Sequence, residues 1–189
     1  MSLVSGQSGE TPAVVDPTTA LALVARGGDA AAQAAFVRAT QAEVWRFTAA
    51  LVDPGSADDL TQDTFLRAFK ALPAFEGRST ARTWLLGIAR RTCADHLRGV
   101  VRRRRLETRL AEQAHTEQAH PDPAHRLGAA DLLARLGDER RTAFVLTQVL
   151  GLSYAEAAAV EDVPVGTIRS RVARARDELI TAVTRAQAG

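Results

Sequence analysis

The side chains best placed to do chemistry in this sequence are arginines and aspartates at helical spacing. Between Pro164 and Leu179, residues Ile168, Val172, Ala175 and Leu179 recur at i, i+4, i+7 and i+11 and form one apolar stripe. The other faces of that helix carry Thr167, Arg169, Ser170, Arg171, Arg174 and Arg176. A buried stripe backed by a cationic, hydroxyl-bearing face suits a major-groove reading helix, because Arg and Ser donate to base edges and phosphates. An amphipathic helix whose arginines merely meet water is the competing reading. The preceding residues favour the first. Ser153 and Glu156 form a capping box that opens a short Ala-rich helix over Tyr154–Val160. Glu161-Asp162-Val163 interrupts it, and Pro164 suits the first turn of a new helix. A capped short helix, a tight turn and a longer basic helix predict a helix-turn-helix.

Two other clusters lie in the first half of the chain. Arg91, Asp95, Arg98, Arg102 and Arg105 recur along one face of a long helix predicted from Ser79 or Thr80 to about Arg105. A row so rich in arginine can follow a phosphate backbone, although a run of arginines at a helix end is also favourable with the dipole. The loop before it offers Phe75, Arg78, Ser79, Thr80 and Arg82 as a polar and aromatic rim, with Trp84 in the first turn. Further upstream, Asp58, Asp59 and Asp63 cluster with Gln62 and Arg67 near the start of a helix capped by Ser56 and Asp59. From pattern alone, simple complementarity with the helix dipole explains those acids better than a docking face does.

The elements needed to hold these residues read as helices throughout. Residues 1–17 are rich in Ser, Gly, Thr and Pro and read as a tail. Helical pattern begins near Thr18 and breaks at Gly27-Gly28. Asp29 caps a second helix, striped by Phe36, Thr40, Val44 and Phe47, that ends before Asp53-Pro54-Gly55. Apolar content collapses from Leu106 to His125, and Pro121 and Pro123 forbid a continuous helix there, so this stretch reads as a linker. Short helices over Leu127–Leu136 and Asp138–Leu150 lead to Gly151 and the helix-turn-helix. No strand-like alternation appears, and the fold class is all-α in two small helical domains.

Composition limits the function classes. The 189 residues suffice for one sizeable core or two small ones, and 46% hydrophobic with 24% charged content is that of a folded protein. The formal net charge is only +2, but charge is balanced over residues 1–100 and positive at Arg102–Arg105 and along the last helix. One cysteine, Cys93, excludes an internal disulfide. His115, His120 and His125 share no helix face and lack a Cys or paired acid that would complete a metal set. No nucleophile–base pair or phosphate loop is present, so neither an enzyme nor a cofactor is expected. The absence of a basic leader or a long apolar run makes the cytoplasm the expected compartment.

Three stretches in order, SADDLTQDTFLRAF (56–69), STARTWLLGIARRTCADHLR (79–98) and GLSYAEAAAVEDVPVGTIRSRVARARDEL (151–179), resemble the extracytoplasmic-function (group 4) sigma factors of the sigma-70 family, and look close to the actinobacterial SigC type. The similarity runs from Thr18 to about Val183. It implies sigma domain 2 over residues 18–105, a linker at 106–126 threading toward the polymerase active-site channel, and sigma domain 4 over 127–186. It also reverses the reading of the acidic cluster: Asp58, Asp59, Gln62, Asp63 and Arg67 would dock on the β′ clamp helices of RNA polymerase core. Phe75, Arg78, Ser79, Thr80, Arg82, Trp84, Arg90, Arg91, Asp95 and Arg98 would melt and capture the single-stranded −10 element. Thr167, Arg169, Ser170, Arg171 and Arg174 would read the −35 duplex, with domain 4 seated on the β flap. Two positions depart from the family pattern. Asp162 stands at a turn position often filled by Gly, and Glu161 and Ala157 stand where larger apolar residues are common. The resemblance leaves open whether an anti-sigma factor binds the chain, and it implies no membrane partner.

The resulting expectation is a promoter-specificity subunit that binds core polymerase and nucleates strand opening. A stand-alone helix-turn-helix regulator of duplex DNA is the alternative, but it would not need the acidic face or the second basic helix with its loop. An all-helical interaction protein with solvated arginines is a third. With a linker between them, the two domains are also able to pack together in the free chain and cover their DNA faces.

Overall fold

The computed structural model describes residues 16–114 and 128–188, and among them every regular element is helical. Asp16, whose carboxylate accepts from the Thr19 N–H at 3.0 Å, caps α1 (Pro17–Ala25). Asp29 caps α2 (Ala30–Leu51) through the Ala32 N–H at 2.7 Å. Then follow α3 (Pro54–Ala71), a short 3-10 turn (Leu72–Ala74) and the long α4 (Ala81–Ala114). The second half contains α5 (Ala129–Ala134), α6 (Asp138–Phe144) continued by a π-helical turn (Val145–Val149), α7 (Tyr154–Glu161) and α8 (Val165–Ala188). The tail at 1–15, His115, His120, His125 and the prolines at 121 and 123 lie outside the described residues.

Several helix ends differ from expectation, each for a local reason. α3 starts at Pro54, not at the Ser56–Asp59 pair: Asp53 is the cap, accepting from the Ser56 N–H at 3.0 Å and its hydroxyl at 2.8 Å. Pro54 falls at the first helical position, where a missing N–H costs nothing. α4 continues past Arg105 to Ala114 because residues 106–114 are mostly good helix formers with neither Gly nor Pro. The segment expected as one helix to Leu150 widens in its last turn, where the Leu150 N–H reaches back five residues to the Val145 carbonyl at 2.9 Å. Gly151 then takes φ 71°, a left-handed conformation open to glycine.

The core uses the apolar stripes that the sequence displays. Phe36, Thr40, Val44 and Phe47 of α2 are buried against Leu85, Ile88 and Ala89 of α4 and Leu60, Phe65 and Ala68 of α3. Thr40 satisfies its hydroxyl by donating to the Phe36 carbonyl at 2.7 Å. Ile168, Val172 and Ala175 of α8 are buried in the second half with Ala143, Leu146 and Val160. The two halves share one continuous apolar cluster, with α7 packed across α4. Gly87 of α4 is buried, and the Val160 backbone carbonyl lies 3.9 Å from where its Cβ would stand. Among the described residues no helix is long and apolar enough to cross a membrane.

Candidate nucleic-acid and polymerase interface

The helix-turn-helix forms as its chemistry requires. Ser153 accepts from the Glu156 N–H at 3.2 Å, and Glu156 accepts in return from the Ser153 N–H at 2.8 Å. The Ser153 hydroxyl and N–H hold the Glu156 carboxyl below the usual carboxylate range. Asp162 closes α7 at φ 55°, ψ 51°, the left-handed cap that glycine more often supplies, and donates its N–H to the Ala158 carbonyl. The Pro164 carbonyl accepts the first bond of α8, from the Thr167 N–H at 2.9 Å.

The predicted −35 set divides on this helix. Arg169, Ser170 and Arg174 are exposed and Thr167 is half-buried, and Thr167, Ser170 and Arg174 line a cleft against α6. Arg171 turns inward. Its guanidinium, 15% exposed, donates to Glu161 at 2.7 Å and Glu139 at 2.6 Å. Glu161 is fully buried, and one of its carboxylate oxygens accepts from Arg171 while the other has no partner. Burial pushes the Glu161 carboxyl up to about 7, against the opposing pull of Arg171 and Arg90. Glu161 is thus accommodated in the interior by pairing with an arginine from the next helix.

The predicted −10 set divides likewise. Arg78 and Ser79 are exposed on the loop, and Arg78 pairs with Glu76 at 3.3 Å. Thr80 is the cap of α4, accepting from the Thr83 N–H at 3.1 Å. Phe75 is buried and packs on Trp84 with ring centroids 4.9 Å apart, so it supports the loop from beneath. Arg82 is occupied: its fork grips the Glu43 carboxylate of α2, and Nη2 also donates to the Leu150 carbonyl at 2.5 Å. Arg90 lines a cavity of about 70 Å³ with Glu161 and Glu139, between α4 and the second half. Arg91, Asp95 and Arg98 are exposed and line an open groove beside α3.

The acidic face is continuous. Asp58, Asp59 and Gln62 are exposed along α3, and Asp63 pairs with Arg67 at 2.9 Å. Sequence reasoning missed Trp45 of α2, which is 44% exposed and donates its indole N–H to Asp58 at 2.7 Å. Trp45 follows the buried Val44 on a helix, so its place off the core stripe was visible, but its pairing with Asp58 depends on how α2 and α3 cross. Glu43, Glu139 and Arg141 were also missed. Arg141 donates to the Leu51 carbonyl at 3.0 Å and so ties α6 to the end of α2.

Both halves of the chain are similar to known proteins. Residues 36–104 match the family described as Sigma-70 region 2, and residues 127–179 match Sigma-70, region 4. The chain is 55% identical over 171 residues to the ECF RNA polymerase sigma factor SigC of Mycobacterium tuberculosis, covering 87% of this chain and 90% of the relative. The chain belongs to the ECF sigma factors of the sigma-70 family.

This sigma factor is also 32% identical over 143 residues to the ECF RNA polymerase sigma-E factor of Escherichia coli, covering 68% of this chain and 74% of the relative. Its fold is similar to CnrH, solved in complex with the cytosolic domain of CnrY, with TM-score 0.69 and 27% identity over 90% of this chain and 99% of that one. It is similar as well to RpoE of Bartonella quintana, solved with the anti-sigma factor NepR, with TM-score 0.61 and 28% identity over 78% and 94% of the two chains.

Proposed function

We propose that this sigma factor reads promoters at two points while bound to core RNA polymerase. The observation that carries the reading is the exposed trio Arg169, Ser170 and Arg174, held outward by the buried Ile168–Val172–Ala175 stripe of a capped helix-turn-helix. Such a helix presents donors to the major groove of a −35 duplex. The loop at Arg78–Thr80 and the α4 face with Arg91, Asp95 and Arg98 take the −10 strand, where pocket contacts offset an unstacking cost of roughly a few kcal/mol. The α3 face at Asp58, Asp59, Gln62 and Asp63 docks on the β′ clamp helices, and the second half sits on the β flap. The functional units are residues 18–105 and 127–186, with 106–126 between them.

Packing of the two halves supports a further part of the reading. Arg82 and Arg90, expected on DNA, face the junction of the halves, while Arg171 is held by acids of its own half. The arrangement described is therefore a resting one, and engagement of core and promoter separates the halves. An anti-sigma factor is a partner class consistent with the complex in which RpoE of Bartonella quintana was solved.

The test mixes the purified chain with core polymerase and follows co-elution and transcription from a candidate promoter. The expected result is a stable complex and a start-site-specific transcript. A chain that neither co-elutes with core nor directs a defined start refutes the function.

A further inference from the structure

The groove between α3 and α4 unites side chains that the sequence assigns to different partners. Arg67, expected on the polymerase-docking face, turns toward α4 and lines the groove with Arg90, Arg91, Asp95 and Arg98. Its guanidinium spans two carboxylates, donating to Asp95 at 2.7 Å and pairing with Asp63 at 2.9 Å. Asp95 also holds Arg98 through its other oxygen. One carboxylate therefore orients two guanidiniums from different helices, and those guanidiniums hold its carboxyl below the usual range, so it stays ionised at neutral pH. Arg67 and Asp95 are 41% and 46% exposed, so their pairing contributes little to stability. Its consequence is direction. The four arginines outnumber Asp95 and the adjoining Asp63 and leave the groove cationic, and the residues that line it all come from α3 and α4, so it stays open while the halves are packed.

We infer that Arg67 contacts a backbone phosphate of single-stranded promoter DNA, and that Asp95 is the positioning residue that aims it there. The inference deepens the promoter-reading function proposed above and rests on it. A guanidinium fork fits a phosphate through two parallel N–H bonds, so a phosphate can replace Asp63 as the second partner while Asp95 keeps the first. Arg67 thereby moves from the polymerase side of α3 to the DNA side.

The experiment uses the full chain and a fluorescein-labelled single-stranded DNA of mixed sequence, with affinity followed by anisotropy across a salt series. Co-elution with core is measured on the same variants. Arg67→Ala is expected to weaken DNA binding several-fold and to reduce the slope of log affinity against log salt by about 0.7, the change for one lost phosphate contact on a single strand. Arg67→Lys keeps the slope, because the charge remains. Asp95→Asn changes affinity in the unmodified chain, and its effect shrinks by at least half in the Arg67→Ala background, as it must if Asp95 acts through Arg67. All of these variants co-elute with core as the unmodified chain does. The inference is overturned if Arg67→Ala leaves affinity and slope unchanged, or if it abolishes co-elution with core. An unmodified chain that co-elutes with core yet does not bind the oligonucleotide also overturns it, while leaving the polymerase reading standing. An unmodified chain that fails to co-elute counts against the function itself, and the oligonucleotide arm still decides Arg67.

Discussion

Arg171 and Arg174 sit one turn apart on α8 and do different work. Arg171 is enclosed by Glu161 and Glu139, whereas Arg174 is exposed on the cleft edge. Removing Arg171 leaves the buried Glu161 carboxyl without its hydrogen-bond donor, and a buried polar group left unsatisfied costs about 1–3 kcal/mol. Arg171→Ala is therefore expected to lower the thermal midpoint strongly, while Arg174→Ala stays within about 0.5 kcal/mol of the unmodified chain. The order reverses on DNA. Arg174→Ala is expected to weaken −35 duplex binding by about 1–3 kcal/mol while core co-elution is unchanged. Thermal denaturation and duplex titration of the two variants check this, and equal stability losses would refute the division. The sequence shows both arginines on a cationic helix and cannot separate them, because the acids that capture Arg171 come from α6 and α7. The same limit hid Arg82, whose partners Glu43 and Leu150 lie 39 and 68 residues away.

At the scale of the element, the chain spells out most of its own boundaries. Asp29, the Ser153–Glu156 box, Thr80 and Gly151 all act where local chemistry places them, because a cap needs only neighbours within one turn. Errors came where two local signals competed. Ser56 with Asp59 has the spacing of a cap, but Asp53-Pro54 upstream has the same competence with a better first residue. The structure implies that Asp53→Ala costs about 1 kcal/mol, and Ser56→Ala only a few tenths, since Ser56 donates to the cap rather than serving as it. Chemical denaturation of the two variants decides it, and a larger loss for Ser56→Ala would restore the sequence reading. The π turn at Val145–Val149 left no local sign. It places the Leu150 carbonyl where Arg82 of α4 donates to it.

At the scale of the molecule, the halves are joined by a shared apolar cluster and by polar ties at its edge: Arg82 to Leu150, Arg141 to Leu51, and Arg90 facing Glu161. The sequence supplied both halves and the possibility of packing, but not the contact surface, which depends on how α7 lies across α4. Glu161 makes the arrangement sensitive to pH. Its carboxyl rises from 4.5 to about 7 when folded, chiefly through burial. The folded chain then holds a proton that the unfolded chain has released, so this group's contribution is fully present below about 4.5 and is lost as pH rises through about 7. Charging it places an anion in a cavity where Arg171 and Arg90 compensate it in part and Glu139 opposes it. Between pH 5 and pH 8 the unmodified chain is therefore expected to lose more thermal stability than Glu161→Gln, whose amide does not titrate. Because Arg90 belongs to the first half, part of the burial of Glu161 ends when the halves separate, and higher pH also favours opening. Scattering should accordingly show a larger radius of gyration at pH 8 than at pH 5 for the unmodified chain, with a smaller difference for Glu161→Gln. Parallel pH profiles for the two proteins, in both melting and scattering, would remove Glu161 from the control of this junction.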